Sequence, residues 1–268
     1  MDKKVGFIGA GNMSSALISG MISAGFKPEN IIASSPEKDH LEILSDKFDV
    51  KTSNDNELVF KESEVIIFVV KPNILKTVLE EYKNISSEEV LLISVAAGFK
   101  ISDIEVILST KQRIIRAMSN TPASIGKGVT AICLNKNATS DDQQNAEELF
   151  SCVGEVVHIQ EKEMDLYTAL IGSGPAYVFY LIESLLESSS EIKMDEKTKT
   201  NMIASMITGS SELALMSENS PEKLRENVTS PGGVTQKAIE EFEKNGMKQT
   251  IIKAIEEAAN KSKELGDN

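Results

Sequence analysis

The stretch VGFIGAGNMSSALISGMISAG, Val5–Gly25, places a Gly-x-Gly turn between a β-branched run and a helical pattern. Gly9 permits a tight turn, and Gly11 lets a pyrophosphate approach the backbone. The helix that follows supplies amide N–H groups and the positive end of its dipole. Ser14, at the third position of the motif, is small enough for close packing of helix against strand. A glycine turn without a nucleotide is the alternative, but the strand–turn–helix context favours a dinucleotide site.

Strand-like runs alternate with amphipathic stretches from this motif to about residue 160. Such alternation predicts βαβ units and a Rossmann-type doubly wound parallel sheet. After Glu161 only helical patterns follow. We therefore expect a dinucleotide-binding domain over residues 1–160 and an all-α domain over residues 161–268. The strands are predicted at Lys4–Ile8, Asn30–Ala33, Val50–Lys51, Val65–Val70, Val90–Val95, Arg113–Met118, Val129–Leu134 and Glu155–His158.

The longest helical pattern of the second domain, Glu196–Ser217, carries apolar and small residues on more than one face. A surface helix needs only one apolar stripe. In a helical domain of this size the pattern favours burial against a second subunit. A central helix in a monomeric bundle is the alternative.

Composition excludes several classes of partner. The chain has 268 residues, with 28 basic against 41 acidic residues and a net charge of −13, which disfavours nucleic acid and anionic membranes. Cys133 and Cys152 show neither metal-ligand spacing nor a disulfide framework, so no metal is expected. The apolar run VIIFVV, Val65–Val70, is too short to span a bilayer, and the N-terminus lacks a signal-peptide pattern. We expect a soluble, cytoplasmic protein.

Polar residues at the ends of predicted strands indicate the cofactor. The second strand ends in Ser34 and Ser35 with Lys38 one turn later, and hydroxyls with a cation suit a 2′-phosphate. Glu37 opposes that choice, but the pattern favours NADP over NAD. FVVKPN (Phe68–Asn73) and SVAAG also end strands, where an open parallel sheet binds its ligand. In SNTPASIGKG the side chains of Asn120 and Thr121 are expected to reach the same crevice.

Two glycine-containing loops open helices in the second domain. GSGPAYVF, Gly172–Phe179, has Pro175 near the first helical turn. SPGGVT, Ser230–Thr235, precedes an amphipathic helix, and a helix N-terminus can bind a carboxylate through its amides and dipole. The alternative is a simple helix start with Ser230 or Thr235 as its cap.

Together these segments resemble the Δ1-pyrroline-5-carboxylate reductase family. The similarity covers essentially the whole chain in order, and NVTSPGGVT with GSGPAY upstream is its most specific part. Ser14 stands where the family usually has alanine. The segments that carry the resemblance are GFIGAGNM, ASSP, FVVKP, SVAAG, RAMSNTP, GSGPAY and LRENVTSPGGVTQKAI.

The resemblance implies NAD(P)H-dependent reduction of Δ1-pyrroline-5-carboxylate to L-proline, with NADPH preferred and NADH as the alternative donor. It implies helical domains that interlock into homodimers and bind the substrate. Thr235 would be the catalytic residue near the imine nitrogen, with Glu218 close behind. Ser230, Gly232 and Gly233 would bind the carboxylate. The implied cofactor residues are Gly9, Ala10, Gly11, Asn12, Met13, Ser34, Ser35, Asn56, Val70, Lys71, Pro72, Ala96 and Ala97.

The implied chemistry fits the residues present. A protonated iminium is already electrophilic, so hydride transfer to its C5 needs positioning more than a metal or a covalent nucleophile. One alternative is a β-hydroxyacid dehydrogenase, which would need a lysine on the interdomain helix. Pro175–Ser190 contains none, and Lys193 lies beyond it. The other alternative is a non-catalytic NADP sensor.

Overall fold

A computed structural model describes residues 3–83, 85, 87–108 and 111–266. All eight predicted strand runs form strands. Each strand residue of β1, β4 and β5 is buried, as expected for parallel strands covered by helices on both faces. The strands are β1 (Val5–Ile8), β2 (Ile31–Ser34), β3 (Lys51–Ser53), β4 (Val65–Phe68), β5 (Leu91–Ser94), β6 (Arg113–Met118), β7 (Gly128–Leu134) and β8 (Gly154–His158).

Helices connect the strands and then make up the rest of the chain. A π-helical segment, Thr168–Gly172, continues α7. The helices are α1 (Asn12–Ser23), α2 (Lys38–Phe48), α3 (Asn56–Glu62), α4 (Pro72–Lys83), α5 (Ile101–Ile107), α6 (Ser140–Ser151), α7 (Met164–Tyr167), α8 (Gly174–Glu187), α9 (Glu196–Met216), α10 (Pro221–Asn227), α11 (Val234–Lys244) and α12 (Met247–Gly266).

The strands form one sheet in the order β3-β2-β1-β4-β5-β6-β7-β8. Strand order reverses between β1 and β4, and the crevice at such a reversal is where doubly wound sheets bind ligands. Strands β1 to β6 are parallel, which confirms the predicted fold class. Buried apolar side chains form one cluster on each face of the sheet.

One strand departs from the parallel pattern. β7 runs antiparallel to β6, and β8 is again parallel to β7. Only residues 119–127 connect β6 to β7, including a short helical turn at Thr121–Ile125. Nine residues are too few for a crossover to a parallel strand, so the chain turns back.

The chain divides into two compact units. Unit 1 comprises Met1–Gly174 with Glu257–Asn268, and unit 2 comprises Pro175–Glu256. The expected boundary near residue 160 follows the end of strand–helix alternation at β8, whereas the compact units divide about one helix later. The end of α12 also returns to unit 1, where the Ser262 hydroxyl donates to the Asp165 carboxylate at 2.8 Å.

Unit 2 has almost no interior of its own. Among residues 175–256, all of which the structure describes, Ser189 alone is buried. Of the 25 large hydrophobic side chains that are exposed in the described chain, 18 lie in this unit. Glu161–Glu187 is long and apolar enough to cross a membrane by length and composition, with 6% of its apolar window buried. Polar residues interrupt this helical stretch, so it does not stand out as a continuous apolar run in the sequence. An extensive exposed apolar surface marks a site of interaction with another protein or a membrane.

Candidate active site

The turn after β1 needs glycine at its first position. Gly9 has a φ of +108°, and its N–H donates to the Ser34 carbonyl at 2.8 Å. A Cβ at Gly9 would lie 2.7 Å from the Val69 carbonyl oxygen, which is closer than real Cβ atoms come. Backbone from β1, β2 and the end of β4 therefore meets at this turn.

The start of α1 is open to a ligand. Gly11 is the N-cap residue, and no side chain caps the helix. A Cβ built on Gly11 would meet no atom within 4 Å. The first amides of a helix have no intrahelical acceptor, so this end fits the pyrophosphate of a dinucleotide. Ser14 is fully buried, and its hydroxyl donates to the Gly9 carbonyl at 2.6 Å, which ties the helix to the turn.

A cleft of about 260 Å³ lies at the carboxyl ends of β4, β5 and β6. The sequence predicted six of its lining residues individually, whereas Val69, Val95 and Ser119 lay inside the segments FVVKPN, SVAAG and SNTPASIGKG without being singled out. Their position at strand ends, next to predicted residues, was the available signal. The lining residues are Met13, Val69, Val70, Lys71, Pro72, Val95, Ala96, Ala97 and Ser119.

The structure brings two further predicted residues together beside β2. The buried Ser34 hydroxyl donates to Asn56 Oδ1 at 2.7 Å, so the Asn56 amide nitrogen is directed outward. That nitrogen lies 3.2 Å from Glu81 Oε2. The Ser35 hydroxyl accepts from the Glu37 N–H at 3.1 Å. This side of the crevice therefore presents the Ser35 hydroxyl and one N–H of the Asn56 carboxamide, beside the Glu81 carboxylate.

Asn120 has a structural role instead of the predicted place in the crevice. Its Nδ2 donates to the Ile171 carbonyl at 3.2 Å, and its Oδ1 accepts from the Val129 N–H at 3.0 Å. Thr121 is exposed and begins the short helical turn after β6. Among the described residues at the end of β6, the one that lines the cleft is their neighbour Ser119.

The SPGGVT loop forms a tight turn that opens α11. Gly232 has a φ of +73°, and Gly233 is the N-cap, so neither Ser230 nor Thr235 is the cap residue. The Gly233 N–H donates to the Ser230 carbonyl at 3.0 Å. The Gly232 N–H donates to Gln236 Oε1 at 2.6 Å. Both glycine amides thus already have oxygen acceptors, and no sequence motif indicated the role of Gln236.

The other predicted substrate residues are accessible. Ser230 and Thr235 are exposed, and Thr235 is the second residue of α11. Glu218 is exposed in the segment between α9 and α10. Since Gly233 supplies no capping side chain, the first amides of α11 are open to an anion.

Known proteins match the chain from end to end. It is 39% identical to the pyrroline-5-carboxylate reductase of Methanosarcina acetivorans, covering 99% of this chain and 98% of that enzyme. The NADP-bound pyrroline carboxylate reductase of Plasmodium falciparum superposes with a TM-score of 0.91 at 34% identity, over 99% and 98% of the two chains. The Coxiella burnetii pyrroline-5-carboxylate reductase gives 0.90 at 35%, over 99% of each. The chain belongs to the pyrroline-5-carboxylate reductase family.

The family models divide the reductase near residue 160, where the strand–helix alternation of the sequence ends. "Pyrroline-5-carboxylate reductase dimerisation" matches residues 161–265, and "NADP oxidoreductase coenzyme F420-dependent" matches residues 4–98. The protein is an NAD(P)H-dependent oxidoreductase that reduces pyrroline-5-carboxylate to proline, which confirms the predicted function. Its dimerisation domain implies a homo-oligomer.

The dehydrogenase alternative is not supported. The 3-hydroxyisobutyrate dehydrogenase of Mycobacterium tuberculosis shares 12% identity over 73% of this chain with a TM-score of 0.53, which shows the fold alone.

Across the described residues, no group of His, Cys, Asp and Glu side chains could hold a metal ion. Burial, with the nearby Glu161 charge, raises the pKa of Cys133 to about 12, so this thiol stays protonated at neutral pH.

Proposed function

We propose that the cofactor binds along the carboxyl edge of unit 1, with its pyrophosphate at the start of α1. The open helix end at Gly11 carries this proposal. The remaining members of the motif, Ala10, Asn12 and Met13, surround the turn after Gly9. Val70, Lys71, Pro72, Ala96 and Ala97 would line the continuation of the groove.

We also propose a preference for NADPH. Ser34 fixes the Asn56 carboxamide so that one of its N–H groups is left as a donor for a 2′-phosphate, while the other donates to Glu81. The Ser35 hydroxyl, buried beside the surface, would be a second donor. Glu37 opposes this preference in the sequence, but its carboxylate lies 2.6 Å from His40 Nδ1 on α2. That contact supports a carboxylate drawn along the helix and away from the cofactor.

The substrate carboxylate, in this proposal, binds the turn Ser230–Thr235 at the start of α11. The Gly232 N–H supports it, because this group already holds a carboxamide oxygen at 2.6 Å. A carboxylate oxygen would replace the Gln236 oxygen and would also gain the Ser230 hydroxyl. Gly233 would shape the turn, since its own amide is bound to the Ser230 carbonyl.

Thr235 would act on the imine nitrogen. When bound, the reduced nicotinamide supplies the hydride. The Thr235 hydroxyl would donate a hydrogen bond to the nitrogen of the neutral imine, or relay the proton that converts it to the iminium, with Glu218 behind. Proton-transfer partners contribute about 10²–10⁴-fold. The reductase would therefore act mainly by positioning the hydride donor against the imine, and the Thr235 hydroxyl would add a limited increase in rate.

The helical region 161–268 would form interlocked homodimers. The exposed apolar surface of unit 2, together with the dimerisation-family match over residues 161–265, supports a second copy as its cover. Residues 1–160 would then be the dinucleotide-binding domain of each subunit.

Both cysteines are free, which is typical of a reducing compartment such as the cytoplasm.

Thr235→Ala tests the catalytic proposal. We expect pyrroline-5-carboxylate turnover, followed as loss of NADPH absorbance at about 340 nm, to fall by up to about 10²–10⁴-fold. NADPH affinity and melting temperature should stay unchanged, and Thr235→Ser should recover most of the turnover. Full activity of Thr235→Ala would remove the hydroxyl from the mechanism. A fall in melting temperature without a fall in turnover would assign it to the helix start.

A further inference from the structure

Ser119 is the one buried polar side chain among the residues that line the cleft. Of those nine residues, seven are apolar, and Lys71 is exposed. Ser119 is 8% exposed and follows the last residue of β6. A serine hydroxyl can donate one hydrogen bond and also accept others, and the cleft is the open side of this one.

The hydroxyl of Ser119 is fixed from behind by Thr130. Thr130 Oγ1 lies 2.9 Å from Ser119 Oγ, across the antiparallel pairing of β6 with β7. Thr130 is 1% exposed and cannot reach a ligand in the cleft. Two hydroxyls carry two protons, and their mutual hydrogen bond uses one. The pair therefore keeps a proton that Ser119 can donate into the cleft.

The position of Ser119 in the sheet selects the part of the cofactor that it meets. β6 lies on the β4–β5 side of the strand reversal, opposite the β2 side where Asn56 and Ser34 lie. A dinucleotide laid across the carboxyl edge places its two nucleoside ends on opposite sides of the reversal. With the adenosine assigned to the β2 side, the nicotinamide falls on the Ser119 side.

We propose that Ser119 donates a hydrogen bond to the carboxamide oxygen of the nicotinamide and so fixes the orientation of the ring. The carboxamide is the only polar substituent on that ring, and the apolar walls offer it no other side-chain donor among the buried lining residues. Ser119 is thus a positioning residue. The inference rests on the proposed cofactor cleft of unit 1.

The test changes both partners of the proposed hydrogen bond, the carboxamide oxygen of the cofactor and the Ser119 hydroxyl. Thionicotinamide NADPH carries sulfur, a weak acceptor, in place of the carboxamide oxygen. The wild-type reductase should bind NADPH more tightly than this analogue in fluorescence titrations, and Ser119→Ala should lose that preference. In Ser119→Ala the affinity for NADPH should fall about 3- to 10-fold, as expected for the loss of one neutral hydrogen bond. Thr130→Val, which leaves the Ser119 hydroxyl in place, should keep the preference.

Two binding controls separate the possible failures. 2′-Phospho-ADP-ribose lacks the nicotinamide, so its affinity should be equal in the wild type and Ser119→Ala. The inference is overturned if Ser119→Ala loses equal affinity for NADPH and for 2′-phospho-ADP-ribose. It is also overturned if this variant still prefers NADPH to thionicotinamide NADPH. If Ser119→Ala does not fold, the double variant Ser119→Ala/Thr130→Val removes both hydroxyls and should also lose the preference. Gly11→Asp adds a charge in open space, and its failure to weaken 2′-phospho-ADP-ribose binding would overturn the proposed cleft itself.

Discussion

Replacing Met206 with glutamate tests whether α9 lies in the subunit interface. Met206 is 51% exposed on this helix, inside a unit with almost no interior. Complete burial of a methionine side chain contributes about 1.5–3 kcal/mol, so covering the exposed half contributes about 0.8–1.5 kcal/mol. A two-fold dimer contains the substitution twice, which raises the loss to about 1.5–3 kcal/mol.

This loss corresponds to a dimer Kd about 10- to 150-fold higher, before the desolvation of the two carboxylates is added. Sedimentation velocity over a dilution series measures the change. Far-UV circular dichroism on the same samples should show helix content falling on dilution, because unit 2 has almost no interior of its own. Ile43→Glu is the matched control, since Ile43 is 55% exposed on α2 of unit 1. If both variants dissociate equally little, α9 is not in the interface.

Three further outcomes are expected. Ser14→Ala should lower the free energy of unfolding by about 1 kcal/mol in urea melts, because the Gly9 carbonyl loses its buried donor. Gln236→Ala should lower the KM for pyrroline-5-carboxylate by about 2- to 10-fold in steady-state assays, since the Gly232 N–H no longer has a competing acceptor. Stability should fall as pH rises above 9, because the pKa of Cys133 is about 12 in the folded protein and 9.0 for an unperturbed cysteine. Between these two pKa values the thiol of Cys133 loses its proton in the unfolded chain but keeps it in the folded protein. Cys133→Ala should therefore reduce the slope of the unfolding free energy against pH.

Each of these outcomes has a matched comparison. Ser23→Ala removes an exposed helix hydroxyl and should leave stability nearly unchanged. Gln236→Glu supplies a stronger acceptor to the glycine amide and should raise KM instead of lowering it. An unchanged KM in both Gln236 variants would contradict the carboxylate position. An unchanged slope in Cys133→Ala would assign the alkaline loss to other groups.

The sheet could be predicted from sequence because buried parallel strands leave continuous β-branched runs. The direction of β7 was not predicted, because the hydrophobic pattern does not indicate it; the short connection of residues 119–127 fixes it. Ser119 was missed beside the predicted Asn120 for a related reason. Successive side chains at a strand end point to opposite faces, so a shift of one residue changes which group meets the cleft.

Local motifs likewise predicted more of unit 1 than of unit 2. The turn at Gly9 depends on neighbours that any parallel sheet supplies. The amide of Gly232, by contrast, is taken by a side chain that folds back from the next helical turn, and sequence spacing alone does not reveal that hydrogen bond. The apolar and small residues on several faces of α9 were visible in the sequence, but the lack of any buried residue in this helix required the structure.

The return of α12 to unit 1 sets an order on biosynthesis. Gly266 packs so closely on the Gly98 carbonyl, just after the cleft-lining Ala96 and Ala97, that a Cβ there would lie 2.2 Å away. The 82 residues of unit 2, 175–256, are translated between the two parts of unit 1. At about 5–20 residues per second this takes roughly 4–16 s. During that interval the nascent chain keeps the loop after β5 uncovered, so the cofactor domain is completed only after its neighbour has left the ribosome.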